Sequence, residues 1–296
     1  MKRAILRTHP TSNVLTDQSI DQLNFHLYDS TVRFGLIALF LGCLSQRLCI
    51  SAGTPSLTAE EIIRKSVEAN EQDWQAAREY SYSETTRDLH GSKTKRVILL
   101  FGSPYERLLK VNGKILSPKD EEREERNFAA AVARRRSESR KEREDRIASY
   151  IKDRQGDHLM MAQLTSAFSF RLLGEKRLSG RSVYTLRASR RSGYQPPNMD
   201  SRVLLGMEGD LFIDKSSFQW VRVFAKVISP VSIGGFMASV QPGTYFELEK
   251  MPVRNDIWLP KHFRVQSQSK ILMLFAHKTD EEDVFFDYTL TPSPYR

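Results

Sequence analysis

The side chains best suited to chemistry in this sequence are six histidines and a few closely spaced carboxylates. The histidines form no His-Glu-x-x-His motif or comparable pair of metal ligands; they are His9, His26, His90, His158, His262 and His277. Glu247 and Glu249 lie two residues apart, so their carboxylates share one face of a strand. Asp283 and Asp287, which are four residues apart, offer a second pair of carboxylates. Paired carboxylates can act as general acid and base, but acidic residues on the solvent face of strands are common.

Other catalytic signatures are absent from the sequence. It contains no G-x-S-x-G nucleophile elbow and no Walker-type phosphate loop, and Gly234-Gly235 is typical of a bend. Cys43 and Cys49 are the only two cysteines, which excludes a disulfide framework, a cysteine zinc site and a thiol nucleophile beyond Ile50. We therefore predict a protein that is not an enzyme and that uses no cofactor and no metal.

The composition limits the class of protein and of partner. A chain of 296 residues can form one large β-rich domain or two ordinary ones. Its apolar fraction of 40% and charged fraction of 27% exclude a membrane bundle and a wholly disordered chain. The net charge of +9 suggests an anionic partner, either acidic lipid, nucleic acid or an acidic protein. Because the basic residues are spread among acidic ones, we predict no nucleic-acid partner.

The segment "VRFGLIALFLGCLSQRLCISAG" has the order of a secretory signal: a positive charge, an apolar run from Phe34 to Leu44, and small residues. A run of that length is short of the roughly 20 residues that span a bilayer as a helix. We predict export to the periplasm with cleavage after Ala52, which makes 1–52 an N-terminal extension and signal segment. Two alternatives stay open: a lipid anchor on Cys43, and a buried core helix.

A helix with its own start signal should open the mature chain. Thr58 and Glu61 have the spacing of a capping box. Ile62, Ile63 and Trp74 recur near helical spacing. After Glu79 the pattern changes to alternation, as in "YSYSETTRD", and predicts three strands. Asn112-Gly113 is the preferred pair for a two-residue type I′ hairpin turn.

A long charged segment follows this hairpin. Lys119 to Arg154 carries nearly balanced basic and acidic side chains and is rich in helix formers, so it predicts one or two solvated helices. The next stretch, "HLMMAQLTSAFSFRLLG", places Leu164, Phe168 and Leu172 near one helical face. We therefore predict a helical insertion over about 117–172 that packs on the open side of a sheet.

From Glu175 onward the sequence predicts strand after strand, separated by turn residues. In "FQWVRVFAKV" the simple alternation puts Trp220, Arg222 and Phe224 on one side of a strand, and Val221 and Val223 on the other. Short strands at this spacing are typical of a meandering antiparallel sheet. The predicted fold class is α+β.

The order of these elements resembles a known family. A signal segment, a capped helix, "KVNGK", a helical insertion, "GRSVYTLRA", "LFIDKSSFQWVRV", "IWLPKHFRV" and "FFDY" together resemble the LolA-like and LolB-like lipoprotein-localisation-factor superfamily. The resemblance implies a strongly curved half-barrel closed by helices, in a single domain over 53–296, with an apolar cavity for acyl chains. The charged insertion is longer than a typical lid. Arg87 and Arg96 are both candidates for the family's arginine that ties lid to barrel.

The resemblance and the side alternation together imply a function. We expect a periplasmic binding protein or chaperone that carries a lipid or the acyl group of a lipoprotein, with transient membrane contact. The cavity candidates are Leu99, Phe101, Leu109, Phe168, Phe170, Tyr184, Phe212, Trp220 and Phe246. The alternative is an envelope scaffold in which the 119–154 helices dock a protein partner.

Overall fold

The computed structural model describes residues 57–233, 238–254, 256–271 and 275–295. The predicted extension and signal segment, the candidate lipid anchor Cys43 and the Gly234-Gly235 bend lie outside these residues. Among the described helices, none combines the length and the apolar character needed to cross a bilayer.

Within the described residues, thirteen strands form one large, curved and open antiparallel sheet. The strands are β1 (Tyr80–Asp88), β2 (Gly91–Leu100), β3 (Ser103–Val111), β4 (Lys114–Ile115), β5 (Phe168–Leu178), β6 (Arg181–Arg190), β7 (Met207–Asp214), β8 (Trp220–Val227), β9 (Val231–Ile233), β10 (Ala238–Val240), β11 (Tyr245–Arg254), β12 (Ile257–Ile271) and β13 (Phe275–Leu290). The main path runs β4-β3-β2-β1-β13-β12-β11-β8-β7-β6-β5, and β10 pairs with β12 and β9. The predicted α+β half-barrel class is confirmed.

The strand order explains where the helices must lie. Helix α1 (Ala59–Ala76) precedes the sheet, and α2 (Pro118–Ser137), α3 (Arg140–Ala162) and α4 (Leu164–Ala167) connect β4 to β5. Since β4 and β5 are the two opposite edges of the main path, the helical connection has to cross from one edge to the other. The predicted charged insertion is therefore a bridge between the two ends of the half-barrel.

The first helix begins as its sequence predicts. The Thr58 side chain accepts a hydrogen bond from the Glu61 backbone N–H at 3.2 Å, and the Glu61 carboxylate accepts one from the Thr58 N–H at 2.8 Å. This reciprocal pair satisfies two backbone donors that the helix start leaves without an intrahelical partner. The hairpin turn is also confirmed, because Asn112 and Gly113 both have positive φ, at 52° and 75°.

The helical insertion ends earlier than predicted. Helix α4 stops at Ala167, and β5 begins at Phe168 instead of continuing as helix toward 172. Phe168, Phe170 and Leu172 alternate along this strand and pack toward the main core. Residues four apart share a face in a helix and also in a strand, so the spacing of Phe168 and Leu172 did not distinguish the two.

The main core lies between α1 and one face of β5–β8 and β11. It combines Ile62 and Ile63 of α1 with residues of the sheet that include Leu186, Leu211 and Trp220. A smaller cluster on the other face joins Val183, Val221 and Trp258, with Leu178 and Phe212 packed against it.

The alternation predicted for β8 is wrong at its first two residues, because Trp220 lies in the main core and Val221 in the cluster on the other face. The register of β7 against β8 shifts between Phe212 and Ile213, so Val221 is an extra residue on β8. Such a bulge reverses the phase of the side chains before it. Trp220 consequently joins Val223 in the main core, while Arg222 faces the opposite side.

Candidate functional site

The candidate site is built around α1, which lies on the main core. Ile62 and Ile63 are buried beneath the helix. One turn further on, the fully buried Ser66 hydroxyl accepts a hydrogen bond from the Trp220 indole Nε1 at 2.6 Å. A buried indole N–H needs such a partner, so this bond fixes both the rotation of α1 and the orientation of the Trp220 ring.

The last turn of α1 is held by a buried ion pair. Lys250 donates a hydrogen bond to the Asp73 carboxylate in an ion pair, and the side chains of Asp73 and Lys250 are only 4% and 7% exposed. Asp73 also accepts hydrogen bonds from the Gln219 side chain at 3.0 Å and from the Trp258 backbone N–H at 2.9 Å. Lys250 donates to the Asn70 side chain at 2.8 Å. One carboxylate thus ties α1 to β11, to β12 and to the β7–β8 connection.

Burial dominates the electrostatics of this pair. It raises the pKa of Asp73 above its ordinary value, although Lys250 acts in the opposite direction. Burial likewise lowers the pKa of Lys250. Because desolvation offsets much of the attraction between buried charges, the pair contributes position more than net stability.

A cleft opens beside the first half of α1. Its volume is about 430 Å³, within the usual size range of ligand pockets. The apolar part of its wall is Ile63 and Val67 of α1 and Phe170 of β5, and Val67 is 39% exposed. Charged and polar side chains complete its lining: Glu60, Arg64, Glu68, Thr165 and Arg191. The cleft therefore offers an apolar surface next to a polar one.

The nine predicted cavity residues fall into three groups. Phe168 and Trp220 are buried in the main core, and Phe170, Tyr184 and Phe246 pack against it, so these five form one contiguous apolar region. Phe212 packs with the small cluster on the other face. Leu99, Phe101 and Leu109 belong to the β2–β3 hairpin, where Phe101 forms the turn with a positive φ of 48°. The ligand role of all nine stays a prediction.

Helix α2 is attached to that hairpin by one arginine. Arg135 is 7% exposed and donates to the carbonyls of Leu100 at 2.7 Å, Ser103 at 2.8 Å and Pro104 at 3.1 Å. The fork of the guanidinium thereby satisfies three carbonyls at the β2–β3 turn. Arg135 was not predicted from the sequence, although Ala131 and Arg135 lie one turn apart and form the buried stripe of α2.

Helix α3 is attached to the same turn. Arg146 donates to the Phe101 carbonyl at 3.1 Å and the Ser103 hydroxyl at 2.7 Å, and forms an ion pair with Glu138. The hydrogen bond from Arg146 lowers the pKa of Glu138. Ile147 approaches Gly102 so closely that a Cβ there would lie 2.8 Å from the isoleucine Cδ1. Only glycine leaves this space and tolerates the φ of 87°.

The far end of α3 meets the far end of α1. The His158 ring stacks on Trp74 at 4.2 Å between centroids, and its Nε2 lies 3.0 Å from the Glu71 carboxylate. Arg154 lies over the same indole at 4.8 Å and donates to the Trp74 carbonyl. The helical bridge is thus connected to α1 as well as to the hairpin.

Arg87 and Arg96 were the two candidates for the arginine that ties lid to barrel, and both connect strands of the sheet to each other. Arg96 donates to the Asp287 carbonyl at 2.7 Å and the Thr289 hydroxyl at 2.6 Å. Arg87 pairs with Glu282 at 2.9 Å. The contacts of α2 and α3 with the β2–β3 turn come instead from Arg135 and Arg146.

The two carboxylate pairs differ in their surroundings. Glu247 and Glu249 both pair with Arg222 across β8 and β11. Asp283 is buried at 2% exposure, whereas Asp287 is exposed and has a positive φ of 53°. Within the described part of the chain, no three His, Cys, Asp or Glu side chains are grouped so as to hold a metal ion.

Comparison with known proteins returns neither a matching family model nor a matching curated protein. Among solved structures, the chain is similar to a LolA superfamily protein from Nitrosomonas europaea, with 10% identity, 80% of this chain and 95% of that chain covered, and a TM-score of 0.32. It is also similar to a domain assigned to outer membrane lipoprotein sorting from Vibrio parahaemolyticus, with 11% identity, 78% and 94% coverage, and a TM-score of 0.29.

A third similar structure is the MucA/MucB complex of Pseudomonas aeruginosa, with 10% identity, coverage of 77% of this chain and 99% of that chain, and a TM-score of 0.20. The first two of these structures carry the names of the superfamily that the sequence resembles.

Proposed function

We propose that this protein is a non-catalytic carrier that binds a lipid or the acyl group of a lipoprotein at the cleft beside α1. The observation that supports this is the arrangement of the cleft, where Ile63, Val67 and Phe170 form an apolar wall below charged residues of α1 and Arg191. An amphiphile fits such a surface because its chain and its head group need opposite surroundings. Each buried CH₂ group contributes about 0.8 kcal/mol.

The apolar region behind the cleft provides further apolar surface for a longer acyl chain. Phe168, Phe170 and Tyr184 continue from the cleft wall into the core under α1. The core is closed at Trp220, which is 5% exposed and bonded to Ser66. Deeper insertion of a chain therefore requires the first half of α1 to tilt away from the sheet while Asp73 holds its last turn.

The test is binding of a fluorescent fatty acid to the exported protein purified without detergent. Phe170→Glu places a charge in the apolar wall and should weaken binding at least about tenfold. Leu173→Glu is the matched control, because Leu173 is on the same strand and is 46% exposed. Native mass spectrometry of the same samples identifies any lipid that co-purifies.

Equal affinity of the two glutamate variants would contradict a site at this cleft. An unmodified protein that neither co-purifies with lipid nor takes up fatty acid would contradict the carrier function as a whole.

The proposal includes the cellular location of the protein. The predicted signal segment and the fold together favour a protein exported to the periplasm, with cleavage after Ala52 and a lipid anchor on Cys43 as the alternative. Mass spectrometry of the N-terminus of the exported protein distinguishes the two, because only an anchored form would begin at an acylated Cys43.

A second candidate function is docking of an envelope protein on the α2–α3 bridge. It is supported by the firm attachment of these helices, whose Arg135 and Arg146 bind the β2–β3 turn while their other faces carry exposed charges. Photo-crosslinking from exposed positions of α2 in the native envelope tests it. A discrete crosslinked protein that depends on the bridge, together with no lipid uptake, would favour this function over the carrier.

A further inference from the structure

The corner where α2 turns into α3 concentrates positive charge. Between Arg134 and Arg143 the sequence has six basic and two acidic residues. Arg134, Arg136, Arg140, Lys141 and Arg143 are exposed, whereas Arg135 alone turns inward and is buried. We call the five exposed cations the basic corner.

Three acidic residues in and beside the corner are bonded to neighbouring groups of their own helices, whereas Asp145 next to them is exposed. Glu138 is 11% exposed and binds Arg146. Glu142 accepts hydrogen bonds from the Ser139 N–H at 2.8 Å and the Ser139 hydroxyl at 2.7 Å, which caps the start of α3. Glu144 pairs with Arg140 at 2.7 Å. The corner therefore presents an excess of positive charge to its surroundings.

Helix stability does not account for this charge. Arg134 and Arg136 lie in the last turn of α2, where cations favour a helix. Arg140, Lys141 and Arg143, however, lie in the first turn of α3, where the helix dipole disfavours cations. A local feature that opposes the stability of its own helix points to a role outside the fold.

The corner also has a rigid base. Arg135 and Arg146 fix it to the carbonyls of the β2–β3 turn, and Ile147 packs against Gly102 directly beneath it. Arg136 itself lies over the Phe101 ring at 5.9 Å. The exposed cations are thus carried on a fixed platform at one end of the half-barrel.

We propose that the basic corner is a contact surface for a membrane that carries anionic lipid head groups. A membrane fits better than a protein partner. Arginine is common at protein interfaces, but there it accompanies buried aromatic and apolar anchors, whereas the exposed side chains of the basic corner are all charged. An anionic bilayer attracts each nearby Lys or Arg without requiring a matched shape. This inference extends the proposed carrier function, since a carrier must meet the bilayer that gives or receives its cargo, but it stands on a different part of the molecule.

The experiment is vesicle co-sedimentation at low and high salt, with phosphatidylcholine alone or mixed with phosphatidylglycerol. The test variant is Arg134→Gln/Arg136→Gln/Lys141→Gln/Arg143→Gln. The matched control removes the same charge from exposed strand positions, as Lys110→Gln/Lys114→Gln/Arg171→Gln/Arg177→Gln. At low salt each cation near the surface is worth roughly a fivefold change in affinity, so the loss of four cations should weaken binding to anionic vesicles by roughly several hundredfold.

The control variant should keep most of its affinity, and high salt should weaken the unmodified protein. Arg134→Lys/Arg136→Lys/Arg143→Lys keeps the charge and should bind like the unmodified protein, which separates charge from any effect on folding. Equal losses in the test and control variants, or no preference for anionic vesicles, would overturn the proposal. Fatty-acid binding measured on the same test variant shows separately whether the cleft works, so failure of the corner and failure of the carrier function are distinguishable.

Discussion

The two helical regions of this protein are attached to the same sheet by different physical means. Helix α1 is part of the main core: it buries Ile62 and Ile63 and adds the Ser66–Trp220 bond and the Asp73–Lys250 pair. Helix α2 of the bridge buries little apolar surface, with Ala131 as its one buried apolar residue. Arginines that bind backbone carbonyls replace the missing apolar contacts.

This difference shows that a charged helix pair need not be loosely attached. Arg135 binds three carbonyls, and Arg146 binds a carbonyl, a hydroxyl and a carboxylate. Hydrogen bonds to charged groups contribute about 1.5–3 kcal/mol each. The pKa of Glu138 in the bridge is lowered and the pKa of Asp73 under α1 is raised, so the two attachments should respond to acid with opposite sign. The following predictions test the contrast between the two regions.

The largest effect should come from breaking the buried pair under α1. Asp73→Ala leaves the Lys250 ammonium buried without its carboxylate, and we expect a loss of about 3–5 kcal/mol in the free energy of unfolding measured with urea. The double variant Asp73→Leu/Lys250→Met removes both charges and should recover part of this loss. A double variant as unstable as the single one would show that the charge is not the cause.

Removing the main anchor of the bridge should cost less. Arg135→Ala leaves three carbonyls near the β2–β3 turn without their donor, and we expect about 2–3 kcal/mol of destabilisation. The neighbouring Arg134→Ala serves as control, because Arg134 is exposed. Limited proteolysis should cut the Arg135 variant first within α2 and α3. Equal protease resistance of both variants would contradict an anchoring role.

A smaller effect is expected at the first contact of α1 with the sheet. Ser66→Ala removes the acceptor of the Trp220 indole N–H in a fully buried place, which should cost about 1–2 kcal/mol. Trp220 fluorescence should shift at the same time, because the indole loses its hydrogen bond. A variant with unchanged unfolding free energy would mean that water replaces the hydroxyl.

The smallest effect should be a difference in pH dependence between the two regions. Arg146 holds the pKa of Glu138 below its ordinary 4.5, so the ion pair stabilises the fold fully above that value and its contribution is lost as the pH falls below it. Burial raises the pKa of Asp73, so acidification has the opposite sign there.

Glu138→Gln should therefore be less stable than the unmodified protein at pH 6, and the two should converge in acid. Urea unfolding at several pH values measures this convergence. A constant difference across the range would show that Glu138 does not act through its charge.

Much of the fold could be predicted from the sequence because its signals are local. The Thr58–Glu61 capping box, the Asn112-Gly113 turn and the alternation of the strands each depend on residues close together in the chain. Two predictions failed where the local pattern was ambiguous or interrupted. The four-residue spacing of Phe168 and Leu172 fits a helix and a strand equally well. The bulge at Val221 moves the Trp220 side chain to the face opposite the one that simple alternation predicts.

The candidate site was less predictable than the fold. Five of the nine residues predicted from alternation lie together in or against the main core, but nothing in the pattern showed that the cleft opens between α1 and β5. Asp73, Lys250 and Arg135 were missed because an acidic or basic residue on a helix or a strand is usually solvated. Their partners lie more than 30 residues away, at 177 for Asp73 and Lys250 and at 32 for Arg135 and Ser103.

The sequence by itself determined the antiparallel meander, the capped first helix, the charged helical insertion and the lack of catalytic motifs. Each of these follows from propensity, periodicity or residue type within a short window. Only the tertiary structure decided which charges are buried, where the bridge binds the hairpin and which cations remain exposed at the basic corner. Those outcomes depend on pairing β1 with β13 and on setting β4 and β5 at opposite edges, which brings together side chains that no local pattern relates.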